Sequence, residues 1–327
     1  MIDTVLNAYK PQPVPLRRAN AAKPARSKRR WADAVFASST ALAAGVILVL
    51  LMAVAVFLVM SSQNAIFAGS DRIAAEVSFA RGMSFWQFAG AAIFGTLLAS
   101  AIALAIAVPF SIAIALFISH YAPRQIAAVC GYTIDLLAAI PSVVFGLWGM
   151  WTLEPLIRPL FELLPASFGF VPPARNIVMG GLVLAIMIVP IITALCREVF
   201  IKTPPLQQEA ALALGATRWE MITMVVLPIG RSGIVSASML GLGRALGETM
   251  ALLMVLSPGL LVNMRIFSPG QHSTIASQIA LRFPEASGLE TDFLIALGLV
   301  LFALTFAVNF GARALVARHS DFSGANA

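Results

Sequence analysis

Charged side chains are scarce in this chain of 327 residues. Lys, Arg, Asp and Glu together make up 11% of the sequence, whereas 59% of it is hydrophobic and the mean hydropathy is +0.89. Soluble domains carry charge on roughly a quarter of their residues. The composition therefore argues against a water-soluble domain and predicts a protein whose surface lies largely in lipid.

Cysteine and histidine are also scarce. Cys130 and Cys196 each lie inside an apolar stretch, and the three histidines are far apart in the sequence. We therefore expect no disulfide framework, no bound cofactor and no metal site. The sequence has neither the HExxH pattern of a metal-dependent enzyme nor the GxxxxGK[ST] pattern that cradles the phosphates of ATP. An intramembrane enzyme is therefore disfavoured, and any ATP that drives this chain must be bound by another protein.

Apolar runs long enough to cross a bilayer occur six times. A helix needs about 20 mainly apolar residues for a crossing, since each residue advances only about 1.5 Å. The runs cover residues 35–60, 93–118, 126–151, 177–196, 232–256 and 293–315. Because backbone polar groups in lipid must find their hydrogen bonds within the segment, the runs predict an all-α integral membrane protein with six transmembrane helices.

The positions of Lys and Arg predict the orientation of the chain. Eight of the 22 basic residues lie between Lys10 and Arg30, before the first run. With both termini in the cytoplasm, 15 basic residues flank the cytoplasmic side and six the opposite side, in agreement with the positive-inside rule. The predicted order is a basic, disordered cytoplasmic tail at 1–34, a first helix at 35–60, an extracytoplasmic loop at 61–92, a core at 93–316 and a cytoplasmic tail at 317–327. The basic tail is expected to orient the chain, not to bind nucleic acid.

The segment between the fourth and fifth runs has the signals of two short helices. Thr203 can cap a first helix with Pro204 at its first position, and Gly215 can adopt the left-handed conformation that ends it. Thr217 begins a capping-box pattern for a second helix, which Pro228 is expected to end. We predict a compact projection made of a helix, a glycine turn and a second helix.

This segment, residues 203–228 and called the elbow below, resembles the EAA loop of ABC importer permeases. The resemblance rests on the spacing of Glu209, Ala210, Ala211, Gly215, Leu227 and Pro228, although Val225 stands where isoleucine is usual. In that family the loop is a coupling helix that sits in a groove of the ATPase subunit. The resemblance implies that the elbow couples this chain to a separate ATPase, which binds the ATP and Mg.

Two further stretches resemble phosphate permeases of the PstC type. Residues 136–149 are similar to the third-span signature of that family, and residues 243–251 to a fifth-span signature that it shares with the sister permease PstA. The resemblance implies a type I ABC importer permease, with a MetI-like bundle in the bacterial inner membrane, that imports inorganic phosphate. It also implies three partners: a PstA-like sister permease, a PstB-type ATPase dimer and a PstS-type extracytoplasmic phosphate-binding protein.

The fifth run carries charge where charge is unfavourable. Arg244 is near the middle of the run, where an isolated charge costs about 2.5 to 3.5 kcal/mol, and Glu248 would lie on the same face of a continuous helix. We predict that Arg244 gives transient charge-assisted hydrogen bonds to phosphate and that Glu248 limits their strength. A buried ion pair that only fixes helix register is the alternative. Asp135, in the third run, can face the same path, pair with another helix or reach a hydrated cavity.

Two other transport functions stay open at this point. A permease for another oxyanion, of the sulfate or molybdate class, would need the same arginine, because one guanidinium does not distinguish these anions. A secondary transporter driven by an ion gradient would use intramembrane charge without an ATPase. The elbow argues against the second of these functions.

Overall fold

The computed structural model describes residues 31–165 and 168–320, and all the regular structure in these ranges is helical. The α-helices are, in chain order, α1 (Trp31–Ile66), α2 (Ser70–Glu76), α3 (Phe85–Leu116), α4 (Arg124–Ala138), α5 (Ser142–Trp148), α6 (Glu154–Glu162), α7 (Ile177–Ile201), α8 (Pro205–Ala213), α9 (Arg218–Met221), α10 (Leu227–Leu246), α11 (Met250–Val255), α12 (Ile275–Arg282) and α13 (Leu289–Ser320). Short π-helical segments occupy Phe117–Tyr121, Gly149–Leu153 and Ile222–Val226, and 3₁₀ turns occupy Ser78–Ala80 and Phe283–Glu285.

The predicted tails fall mostly outside the described residues. Residues 1–30 and 321–327 are not described, so the expected tails at 1–34 and 317–327 stay predictions. The chain divides into two compact units between Val54 and Ala55. All the packing described below lies within the second unit.

Side-chain caps fix where the long helices begin. The Gln87 N–H donates to the Ser84 hydroxyl, and the Ser84 N–H donates to the Gln87 side chain, which forms a capping box at the start of α3. At the start of α7, the Met179 N–H donates to the Asn176 side chain at 3.0 Å. The cap at Ser84 explains why α3 begins ahead of the apolar run that predicted it.

Helix α7 lies at the centre of the bundle, packed against α3, α4 and α10. Gly181 of α7 faces a side chain of α3, and the Ser111 hydroxyl of α3 donates to the Val189 carbonyl of α7 at 3.2 Å. Fully buried alanines of α3 belong to the same core: Ala99, Ala103 and Ala107. Small residues and an interhelical hydrogen bond of this kind allow close helix packing in lipid.

Aromatic rings join the beginnings of α3 and α13. Four rings pack edge to face with centroid separations between 5.1 and 5.9 Å: Phe79, Phe85, Phe88 and Phe293. The Arg282 guanidinium lies 4.7 Å from the centroid of the Phe79 ring. Burial, together with the positive charge of Arg81, lowers the pKa of Arg282, whereas Glu290 acts in the opposite direction. The cluster ties the last long helix to the second predicted span.

The described residues contain five single helices that are long and apolar enough to cross a membrane, and one further candidate that is broken. The five are Asp33–Ile66, Phe85–Tyr121, Ile177–Ile201, Arg218–Leu246 and Leu289–Ala314. The predicted third span instead forms two helices, Arg124–Ala138 and Ser142–Glu162, which are bent by 95°. Pro141 has no N–H and disfavours the helical conformation of the residue before it, so α4 ends ahead of it. The predicted third span over 126–151 therefore corresponds to a bent pair of helices, not to one straight helix.

Gly95 of α3 lies directly against the backbone that precedes α12. A Cβ atom at this position would overlap the Ser273 carbonyl oxygen, and the adjacent Thr96 hydroxyl accepts a hydrogen bond from the Ile275 N–H at 3.0 Å. We expect Gly95→Ala to destabilise the protein by about 1 to 3 kcal/mol, because it overpacks this contact. Gly90→Ala, on the same helix with open space around it, should be neutral or slightly stabilising. Thermal unfolding of the two purified variants measures the difference, and equal stability would contradict the contact.

Candidate functional site

An open cleft of about 1240 Å³ lies between α7, α10 and α13. Its walls are mainly apolar and include the stacked rings of Phe306 and Phe310, whose centroids are 6.4 Å apart. Its polar lining consists of Ser236, Arg244, Asn309 and Arg313. None of the described residues that line the cleft is acidic. Two positive charges between apolar walls favour the entry of anions.

Arg244 lies at one end of the cleft, in the last turn of α10. Its side chain is exposed, and Gly243 beside it leaves room for a ligand to approach. The carbonyl groups at a helix C-terminus carry a partial negative charge, which stabilises a cation in the last turn. The structure thus corrects the predicted position in the middle of a helix over 232–256, because α10 ends at Leu246.

Glu248 does not pair with Arg244. The helix stops between the two residues, and Glu248 is buried with 7% of its surface exposed. Its carboxylate accepts a hydrogen bond from the Ala251 N–H at 3.1 Å, in the first turn of α11. The ion pairs among the described residues lie elsewhere: Arg72–Glu76, Arg158–Glu154 and Lys202–Glu198. The predicted pairing is therefore wrong, because the i,i+4 geometry needs a continuous helix.

Asp135 lies in a second, smaller cleft of about 310 Å³. This cleft is formed by α4 and the end of α7, and its charged lining is Asp135, Arg197, Glu198 and Lys202. Gly131, one turn before Asp135, lets the Arg197 guanidinium lie against the backbone of α4. The structure therefore brings Asp135 close to basic side chains of α7 but not into the cleft of Arg244.

The elbow has the predicted shape of a helix, a glycine turn and a second helix. Helix α8 covers Pro205–Ala213, and Gly215 follows with φ of +90°, a conformation that favours glycine. The Glu220 N–H donates to the Thr217 hydroxyl while the Glu220 carboxylate accepts from the Thr217 N–H, which confirms the capping box. Glu209 and Ala210 are exposed, whereas Ala211 is half-buried and packs against the core.

Two details of the elbow differ from the prediction. Thr203 does not cap α8: Pro204 takes the cap position, and the buried Thr203 hydroxyl has no hydrogen-bond partner among the described residues. Pro228 does not end the second helix: Leu227 and Pro228 are the first residues of α10, which continues directly from the π-helical segment Ile222–Val226. The chain from Arg218 to Leu246 therefore forms one long helical element.

Asn309 and Arg313 are cleft residues that sequence reasoning missed. The sequence places Arg313 at the end of the last apolar run and Asn309 within it, with no motif that singles out either residue. They are four residues apart on α13 and therefore share a helix face. That spacing of two polar side chains in an apolar helix was the available signal.

Residues 107–321 match the family described as binding-protein-dependent transport system inner membrane component. The chain belongs to this family. It is therefore a permease subunit of the inner membrane and crosses the membrane several times.

Relatives of this permease include named phosphate transport proteins. The phosphate transport system permease protein PstC of Haemophilus influenzae is 38% identical over 313 residues, which cover 90% of this chain and 96% of the relative. PstC 2 of Mycobacterium tuberculosis, also named a phosphate transport system permease protein, is 47% identical over 235 residues, which cover 67% of this chain and 71% of the relative. These relatives are transport subunits, not enzymes.

A solved structure shares the fold of this permease. A bacterial ABC transporter involved in the import of the acidic polysaccharide alginate contains a chain with a TM-score of 0.59 and 19% identity, over 89% of this permease and 96% of that chain. At this identity the likeness shows the fold alone. The permease thus has the all-helical, MetI-like fold of ABC transporter membrane subunits.

The capping role of Glu248 in this permease can be separated from a role in charge balance. Glu248→Gln keeps a side-chain oxygen that can accept from the Ala251 N–H, whereas Glu248→Ala removes it. We expect the alanine variant to lose about 1 kcal/mol of stability in α11, as at other helix starts, and the glutamine variant to lose less. Hydrogen exchange of residues 250–255 in the purified protein measures this difference. Equal hydrogen-exchange protection of residues 250–255 in the two variants would contradict the capping role.

Proposed function

We propose that this chain is the permease subunit of an ATP-driven importer of inorganic phosphate, and that Arg244 lies on the path of the anion. The observation that carries the proposal is the cleft itself: an exposed guanidinium between apolar walls, with no carboxylate among the described lining residues. The phosphate transport system permeases among its relatives support phosphate as the anion.

Arg244 can bind the anion weakly enough for it to be released. Its planar guanidinium can donate two hydrogen bonds to two phosphate oxygens, a geometry that a lysine does not offer. The C-terminal carbonyl groups of α10 offset part of its charge, so the bound anion is held less tightly than by an isolated arginine. In this proposal the carbonyl groups of α10 limit the strength of anion binding, a role that the sequence had suggested for Glu248.

The elbow is the part of the chain that we assign to coupling. Glu209 and Ala210 are exposed, and Leu214 beside them has 90% of its surface exposed, as expected for a face that a partner covers. From Arg218 the helical element continues to Leu246 and carries Arg244 near its far end. A movement of the elbow is therefore transmitted along one element to the cleft.

The remaining parts of the importer are assigned to other chains. A PstB-type ATPase dimer binds ATP and Mg and engages the elbow, a PstA-like permease completes the membrane path, and a PstS-type protein delivers phosphate from outside. In this arrangement the elbow and both termini lie in the cytoplasm, in agreement with the distribution of Lys and Arg.

Removing the guanidinium tests the proposed path. Arg244→Leu is expected to reduce ATP-dependent uptake of labelled phosphate by at least about a hundredfold, because the anion loses its charge-assisted hydrogen bonds. Arg231→Leu is the matched control: it lies on the same helix, is exposed and does not line the cleft. Uptake is measured with the complete importer in proteoliposomes, with sulfate as competitor, after assembly has been verified by co-purification. Normal uptake by the assembled Arg244→Leu importer would refute the role, and sulfate uptake at the phosphate rate would refute the substrate.

Cross-linking tests the assignment of the elbow. A cysteine at the exposed position Ala210, in a chain with Cys130→Ser and Cys196→Ala, is expected to cross-link to the ATPase subunit of the importer. Gly69→Cys is the control, because Gly69 lies in the predicted extracytoplasmic loop with open space around it. The adduct is identified by gel shift and mass spectrometry of membranes. An ATPase adduct at Gly69 instead of Ala210 would invert the proposed orientation, and no adduct at either position would refute the coupling role.

A further inference from the structure

Helix α13 contributes two polar side chains, Asn309 and Arg313, to the lining of the cleft. Arg313 is exposed, Asn309 is half-buried, and the two side chains lie one turn apart on the same face. Neither has a side-chain hydrogen bond or an ion pair with another described residue. Both can therefore donate to a ligand: the guanidinium supplies several N–H groups and the amide supplies two.

The two arginines of the cleft belong to different helices, Arg244 to α10 and Arg313 to α13. On α10 the lining extends from Val235 to Arg244, a rise of about 14 Å along the helix. In the proposed six-span arrangement the fifth and sixth spans cross in opposite directions, so we expect Arg313, near the end of α13, to lie near the Val235 end of this lining. On that arrangement an anion in contact with Arg244 does not reach Arg313.

The wall between these two ends is apolar. Met239 and Leu240 on α10 face the cleft together with the rings of Phe306 and Phe310 on α13. The Ser236 hydroxyl donates to the Ser232 carbonyl at 2.8 Å, so its hydrogen is already used. Asn309 and Arg313 are then the anion donors of the cytoplasmic end.

We infer that Arg313 and Asn309 form a second binding position for a phosphate-type oxyanion, at the cytoplasmic end of the cleft. This inference rests on the proposed function, since it takes phosphate as the anion and the cytoplasm as the destination. The anion leaves Arg244, passes the apolar wall and is held by the α13 pair before release. A phosphate group of a lipid has the same chemistry, and the experiment below separates the two sources.

A cysteine reporter at the exposed Ser236 position reads the occupancy of this second position. In the complete importer with Cys130→Ser, Cys196→Ala and Ser236→Cys, we measure the rate of modification by an anionic and by a cationic methanethiosulfonate reagent added on the cytoplasmic side. Free phosphate is expected to lower the rate of modification by the anionic reagent. The Arg313→Gln substitution is expected to lower that rate about three- to tenfold relative to the rate of the cationic reagent, because one positive charge is lost nearby. In Asn309→Leu the ratio of the anionic to the cationic rate should stay unchanged, because Arg313 is retained, but free phosphate should protect the cysteine less.

Three comparisons complete the test. Arg231→Gln, which removes a positive charge outside the cleft, should change the ratio of the two rates less than Arg313→Gln and should leave the protection by phosphate unchanged. Arg244→Leu should abolish uptake but preserve the protection by cytoplasmic phosphate; loss of protection there would mean a single site and overturn the inference. Protection that follows the anionic lipid content and ignores free phosphate would identify a lipid site and also overturn it.

The uptake assay keeps this inference separate from the proposed function. We expect Arg313→Gln to lower phosphate uptake about tenfold, the change for one lost charge-assisted hydrogen bond. If the unsubstituted importer transports phosphate and Arg244→Leu does not, normal uptake and normal protection in Arg313→Gln refute the second position alone. If the unsubstituted importer transports no phosphate, the proposed function fails first.

Discussion

The helix break between Leu246 and Met250 determines the charge of the cleft. On a continuous helix Glu248 would lie one turn from Arg244, and the carboxylate and the guanidinium would largely cancel. The chain bends instead, and the carboxylate turns inward to the N–H of Ala251. A buried carboxylate requires such hydrogen bonds, so the same interaction that begins α11 leaves Arg244 available to an anion. The site depends on where one helix stops.

The element that precedes this break is anchored where it enters the bundle. Met221, Ile222 and Val226 are buried in the main core, while Thr223 and Met224 between them are less buried or exposed. Ile222–Val226 is π-helical, and π-helical insertions are frequent at functional sites. Under the proposed coupling role, the exposed helix α8 lies on one side of this anchor and Arg244 on the other, so a displacement of α8 would be transmitted along the element to the cleft.

Local signals in the sequence predicted the local structures well. The length of the apolar runs identified five of the spans, because a crossing helix has a minimum length, and Gly215 and Thr217 predicted the turn and capping box of the elbow. The break after Leu246 was not predicted, since Glu248 is compatible with a helix; in the structure α10 ends at Leu246, with Gly247 in the C-cap position, and the Glu248 carboxylate accepts from the Ala251 N–H. The place of Arg313 in a cleft is decided by the neighbours of α13; its four-residue spacing from Asn309 indicates only that the two side chains share a helix face.

The size of the cleft constrains where the importer distinguishes its substrate. A cleft of about 1240 Å³ has room for many water molecules around one anion, so under the proposed function phosphate would keep part of its hydration there. Phosphate differs from sulfate near neutral pH by a P–OH group that can donate, and a site that selects it needs an acceptor such as a carboxylate. The described lining has no carboxylate, because Glu248 faces the protein, but the Asn309 amide oxygen and the Ser236 hydroxyl oxygen can accept from a P–OH group. Under the proposed function these neutral oxygens distinguish phosphate from sulfate less sharply than a carboxylate would, because hydrogen bonds to an ionised acceptor are stronger, so we place most of the discrimination in another part of the importer.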